Sequence, residues 1–247
     1  MTSIDKKVSD ENRFLFNKPY GFINFKLSDV KDYLPDRLDW KDNLFIWLDY
    51  DGGMEEDIVY SINLIASKAK SLDIFIITVN ADSPDIKEAG VFEDFKGKFN
   101  EYLDPTLTKL EFKKNYAKVL EKIINRCIYN GLTHNQEKRS FLQLFNYCYT
   151  DGSDMYTFGG IFFDLDKEPS LETLKSKIST LNHVCCEGNI EYIDCPIITP
   201  KEKLYIDFHI KEGEFGGEVE KFCLCEADLK KYCKYYKYYP QFFESIY

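Results

Sequence analysis

One stretch, Leu44-Phe-Ile-Trp-Leu-Asp49-Tyr-Asp51-Gly-Gly53, limits what this chain can fold into. An apolar run that ends in acids and a turn predicts a buried strand of a parallel α/β sheet. The acids then stand just past the strand's carboxyl end, where open α/β sheets bind ligands. The two glycines allow a sharp turn and close approach of the backbone to a ligand. Next come Met54, Ile58, Ile62, Ile65, Ala66 and Ala69, spaced to share one face of a helix over 54–70. Acids at 55–57 and lysines at 68 and 70 match the two ends of its dipole. Residues 73–79 are β-branched and apolar and predict a second strand, with Asn80 in its exit loop. Strand, helix and strand make one βαβ unit with a right-handed crossover. The fold class is therefore α/β.

The rest of the chain adds elements around that unit. The spacing predicts a strand over 21–27, then a short helix capped by Ser28 and Asp29 and stopped by Pro35. Residues 83–106 read as a polar surface excursion. One long helix is expected over 108–128, closed by Gly131, and a short helix, apolar all round, over 141–149. Residues 150–154 form a turn cluster. A strand follows over 155–165, where Gly159-Gly160 marks a bulge or a close backbone approach. A helix over 171–181 and an edge strand over 190–198, placed there by Pro196, come next. Thr199, Pro200 and Glu202 combine as a capping box. Residues 213–217 read as flexible, and the last helix carries Leu229, Tyr232, Cys233, Tyr236, Tyr239 and Phe243, with Pro240 as its kink or end. These elements imply a core over 1–200, with a mostly helical insertion at about 100–150, and a helical extension over 201–247.

Composition narrows the function. A chain of 247 residues, 44% hydrophobic, can bury a sizeable core. A net charge of −10 argues against whole-surface binding to nucleic acid or anionic membrane. No apolar run is long enough to span a bilayer, and no signal peptide follows Met1, so the cytoplasm is the expected compartment. Eight cysteines in such a chain read as reduced thiols. His183, Cys185, Cys186 and Cys195, with Cys223 and Cys225, fit no zinc spacing. Residues 230–239 interleave lysines with tyrosines as single-strand nucleic-acid binders do. At helical spacing, a docked helix with a solvated face accounts for the same pattern, and nucleic acid is not an expected partner.

The chemistry concentrates at Asp49 and Asp51. Residues i and i+2 of an extended chain point the same way, so the two carboxylates can share a divalent cation such as magnesium or split one proton between them. Helix caps at a solvated strand end are the plainer alternative. Tyr50 points to the opposite side. Asn80 leaves the next strand beside Asp49, and Asp29 leaves the preceding one. The candidate catalytic residues are Asp49, Tyr50, Asp51 and Asn80.

Apolar strand, Asp-x-Asp-Gly and a second strand ending in Thr resemble the opening of haloacid dehalogenase-like phosphohydrolases. That likeness implies Asp49 as nucleophile, Asp51 as acid/base and Thr78 beside them. Gly53 replaces the family's Thr, and Asp164 and Asp166 are the nearest candidates for its later acids. A second resemblance covers more of the chain. Residues 13–20, 46–52, 77–81, 144–152, 155–160 and 235–244 resemble a group of bacterial O-methyltransferase-like proteins with a Rossmann-like core that binds S-adenosylmethionine. It implies that Ser3-Ile4-Asp5 ends the second core strand, where Asp5 would hold the cofactor's ribose hydroxyls, with Asp29 and Asp49 lining the same site. The family's first strand and glycine-rich turn would precede Met1, and no Gly-x-Gly-x-x-Gly occurs in the chain. The expected sheet is thus incomplete at its N-terminus. The expected partner is a homo- or hetero-oligomer covering the open core. A catalytically degenerate scaffold is the alternative to an active enzyme.

Overall fold

The computed structural model describes residues 1–6, 11–85, 88, 90–135, 137–181, 184, 188–211, 213–217 and 224–238. The chain divides into two units, Met1–Glu191 and Tyr192–Tyr247. In the first, β1 (Thr2–Asp5), α1 (Glu11–Phe16), β2 (Asn24–Leu27) and α2 (Val30–Asp36) precede β3 (Phe45–Asp49), α3 (Glu56–Lys68) and β4 (Ile74–Asn80). Then come α4 (Val91–Lys98), α5 (Lys109–Lys114), α6 (Tyr116–Thr133), β5 (Arg139–Asp151), β6 (Ser153–Asp164) and α7 (Leu171–Ile178); the short β7 (Glu191–Ile193) begins at the last residue of this unit.

The fold class is α/β, as the sequence predicts. β1 and β2 form a parallel pair of their own. The main sheet has the order β3-β4-β6-β5-β7, with β3 and β4 parallel and β6 antiparallel to both β4 and β5. Helices α3 and α6 cover one face, where Phe75, Ile77, Val79, Tyr156, Phe158 and Phe162 are buried among them. Gly131 lies inside α6 rather than at its end, because a Cβ there would stand 2.5 Å from the Asn63 carbonyl of α3. The glycine lets the two helices meet. On the opposite face, α7 packs Leu174 and Ile178 on Leu142, Leu144 and Phe163. That cover does not reach β3, where Phe45 and Trp47 are 63% and 57% exposed. β3 is therefore an edge strand with one bare face, not the fully buried strand its apolar run predicts.

Other expectations are corrected too. Residues 141–149 are not a helix but the middle of β5. The helix predicted over 108–128 is two, with α5 held by a Thr108–Glu111 capping box and broken from α6 at Asn115. The excursion over 83–106 carries α4 and a 3-10 turn, and buries Phe92, Phe95, Phe99 and Leu103. The rings of Phe92 and Phe95 pack edge-on to Phe112 at 5.3 and 4.8 Å. The Gly159-Gly160 expectation holds. A Cβ on Gly159 would meet the Phe75 carbonyl of β4 at 2.5 Å, and the register between β5 and β6 shifts opposite this pair.

The second unit contains α8 (Pro200–His209), a two-strand hairpin of β8 (Ile210–Lys211) and β9 (Glu214–Phe215), and α9 (Glu226–Tyr235). The Thr199–Glu202 capping box forms as read. Residues 213–217 are not merely flexible; Gly213, at φ 87°, turns the hairpin. Ile206, Leu229 and Tyr232 make the unit's core, and the Tyr232 hydroxyl donates to Asp207 at 2.5 Å. Lys230 pairs with Glu226 at 2.8 Å, Lys231 pairs with Asp194 at 2.6 Å, and Lys234 lies over the Tyr235 ring. The lysines of the basic-aromatic stretch are thus occupied within the unit. Tyr239, Pro240 and Phe243 lie outside the described residues.

Candidate functional site

The site candidates fall into two groups at the carboxyl ends of parallel strands. Asp49 is the last residue of β3 and stands in register with Thr78 of β4. Asp51 follows in an exposed turn. The Asn80 N–H donates to the Gly52 carbonyl at 3.0 Å, which ties the end of β4 to that turn. Asp49, Asp51 and Asn80 are therefore brought together, as their strand-end positions predict. The Asn80 side chain is turned to its own loop: its Oδ1 accepts from the Asp82 N–H at 2.8 Å. Neither glycine of the turn has a positive φ, and a Cβ on either would meet nothing within 4 Å. The turn does not depend on them.

Partial burial of the carboxyl at the strand end, and then the charge of Asp51, hold Asp49 above the ordinary carboxylate range. Asp49 lies on the bare face of the sheet. There the Trp47 indole donates to the Thr78 hydroxyl at 3.1 Å, and Thr78 shares a 3.0 Å hydrogen bond with Thr157 of β6. The sequence reading does not anticipate this Trp47–Thr78–Thr157 row. Its signal is the alternation 45, 47, 49, which an apolar run conceals until the strand is known to be an edge. Tyr50 faces the other way, packed against the helix-covered core. Burial pushes its hydroxyl up to about 12, despite a hydrogen bond to Ser61, with the charges of Asp29 and Asp57 adding to the shift. Tyr50 does not join the carboxylates on their face.

The second group is Asp5 and Asp29. Asp5 ends β1, and its carbonyl accepts from the Ser28 N–H at 3.1 Å. Asp29 caps α2 through the Lys31 N–H and pairs with Lys6 at 3.3 Å. Burial raises its pKa, but the Lys31 N–H and the Lys6 ammonium outweigh that and hold it below the usual range. The charge of Asp29 is near enough to Tyr50 to be felt there.

Among the described residues, no group of three or more His, Cys, Asp or Glu side chains could hold a metal ion. Asp49 and Asp51 thus remain two carboxylates without a third such ligand, which does not support the magnesium expectation. Cys195 and Cys225 are free and exposed, while His183, Cys185, Cys186 and Cys223 lie outside the described residues. Among the described residues, no helix is long and apolar enough to cross a membrane.

The whole chain, residues 1–247, matches the family described as "Putative O-methyltransferase". The chain belongs to that family. It is also similar to D-alanine–D-alanine ligases from two strains of Campylobacter jejuni subsp. jejuni, at 27% identity over 243 residues. That similarity covers 91% of this chain but 65% of each ligase's length. Asp5 is an exposed carboxylate at a strand end, an acceptor of the kind that fits a ribose diol. The chain holds no Gly-x-Gly-x-x-Gly turn. The acids that a phosphohydrolase would require do not converge. β6 runs antiparallel, so Asp164 lies past the Ile74 end of β4, at the opposite edge from Asp49.

Proposed function

We propose that this chain is an S-adenosylmethionine-dependent O-methyltransferase, with its site at the carboxyl ends of β1, β3 and β4. The observation that carries the reading is the family match along the whole chain, together with acids at the ends of its parallel strands. The cofactor supplies an electrophilic methyl group when bound. Asp5 accepts hydrogen bonds from the ribose hydroxyls. Asp49, whose raised pKa leaves it a better base than an ordinary carboxylate, takes the proton from the acceptor's hydroxyl oxygen. Trp47 offers a flat, exposed apolar surface beside Asp49 on which an acceptor can be aligned. The ligase similarity is too distant to assign an activity.

Calorimetric titration with S-adenosylhomocysteine tests the reading. The wild-type chain is expected to bind, and Asp5→Ala to weaken binding by about tenfold, the loss of one charge-assisted contact to a diol. Asp49→Asn should bind the cofactor product within a few-fold of wild type and lose transfer to a hydroxyl acceptor. No binding by a folded wild-type chain sinks the enzymatic reading and leaves the degenerate scaffold in its place.

A further inference from the structure

We propose that the free edge of β3 receives an extended strand from another polypeptide, apolar along the length of β3 and basic just beyond it. The Ile74 N–H donates to the Leu44 carbonyl, and the Tyr50 N–H donates to the Thr78 carbonyl. With the parallel register of Phe45 on Ile74 through Asp49 on Thr78, these bonds turn residues 44, 46, 48 and 50 toward β4. The N–H and C=O groups of Phe45, Trp47 and Asp49 therefore point outward, and among the described strands none pairs with them. β1 repeats the arrangement. Its residues 1, 3 and 5 face β2, so Thr2 and Ile4 turn their backbone to the other side.

Parallel strands are ordinarily covered on both sides, and exposed edges are usually blunted by proline, lysine or a bulge. β3 has none of these: its sequence is Phe-Ile-Trp-Leu-Asp, in unbroken register with β4. Instead two of its outward residues are exposed aromatics, Phe45 and Trp47. The row of backbone donors and acceptors selects a strand as occupant, since only extended backbone matches its spacing. The side chains select its composition. One flank meets Phe45 and Trp47, and the other meets the margin of the core at Ile46 and Leu48, so both flanks are apolar. At the carboxyl end stand Asp49 and Asp51, neither paired with a cation among the described residues, on a chain of net charge −10. A lysine or arginine following the incoming strand complements them.

The test uses the full chain and the peptide acetyl-Val-Ile-Val-Ile-Val-Lys-Lys-amide, read by amide hydrogen exchange. Saturating peptide should slow exchange at Phe45, Trp47 and Asp49 by about tenfold or more and leave Ile46 and Leu48, already bonded to β4, unchanged. Asp49→Asn should weaken the effect several-fold. The same peptide with alternate N-methyl groups, which cannot complete the ladder, should have no effect. Three results overturn the proposal: no slowing at millimolar peptide, equal slowing by the N-methylated peptide, or concentration-dependent protection of the three amides in the peptide-free chain. The last would assign the edge to a second copy. The proposal holds for a scaffold as well as for an enzyme, so failure of cofactor binding leaves it standing.

Discussion

Replacing Arg139 with methionine should cost about 3–5 kcal/mol, the penalty for leaving one member of a buried ion pair without its partner. The Arg139 and Asp164 side chains are 6% and 8% exposed, and join through Nε and Nη2 at 2.8 and 2.7 Å. A further guanidinium nitrogen donates to the Ala69 carbonyl at the end of α3, so one side chain ties β5, β6 and that helix together. Methionine keeps the apolar stem but strands the carboxylate and the carbonyl. Urea unfolding at neutral pH measures the loss, and Arg139→Met with Asp164→Leu should recover most of it. The pH dependence has a definite sign. Burial alone would raise the Asp164 pKa, but Arg139 and then Lys167 outweigh it and hold it low. A carboxyl depressed on folding contributes stability above its unfolded value, about 3.9, and loses it as pH falls through the folded value. Wild type should therefore lose stability more steeply than Arg139→Met between pH of about 4 and the folded pKa. Equal acid limbs would contradict the assignment. The pair lies at the edge opposite Asp49, so both effects should appear without a change in the site.

The parts of this fold legible in the sequence are those where a single face was buried or a local rule governs. α3 shows its stripe because its other side is wet, and Thr199 and Thr108 cap their helices by local chemistry alone. The sequence of β5 reads as a helix because α6 and α7 cover its two faces. Phe141, Leu142, Leu144, Phe145 and Cys148 are apolar on both, and the alternation that identifies a strand is erased. α4 is hidden for the opposite reason: Phe92, Phe95 and Phe99 sit among charges, and only the later Phe112 and Tyr116 supply aromatic partners that help bury them. At the site, the grouping of Asp49, Asp51 and Asn80 follows from strand order. The exposure of Trp47 does not, since an apolar run cannot tell a central strand from an edge whose neighbour is lacking. Asp5 is a candidate by family likeness alone; its strand pairs in parallel with β2.

Gly160→Ala should destabilise the first unit by about 3 kcal/mol, the upper end of overpacking penalties, because the obstruction is backbone rather than a side chain that can rotate. The new Cβ would overlap the Leu142 carbonyl oxygen and stand 2.8 Å from the Phe141 ring. β5 cannot step aside, since α6 and α7 pack on its two faces. Nor can β6 yield toward β4, because Gly159 already brings the Phe75 carbonyl to within 2.5 Å of where its own Cβ would be. Paired glycines thus let β6 lie close to both neighbours at once, and the antiparallel strand they permit carries Thr157 to Thr78 on the site's face. For a unit of this size the loss corresponds to a fall in Tm of roughly 6–12 °C. Gly53→Ala is the control: nothing lies within 4 Å of its added methyl and its φ is not positive, so its stability should stay within about 0.5 kcal/mol of wild type. Thermal unfolding of the two variants side by side decides the matter. A Gly160→Ala chain that melts with Gly53→Ala would mean that β5 and β6 are not held together as tightly as their register requires, and that the site's bare face has more freedom than the Trp47–Thr78–Thr157 row implies.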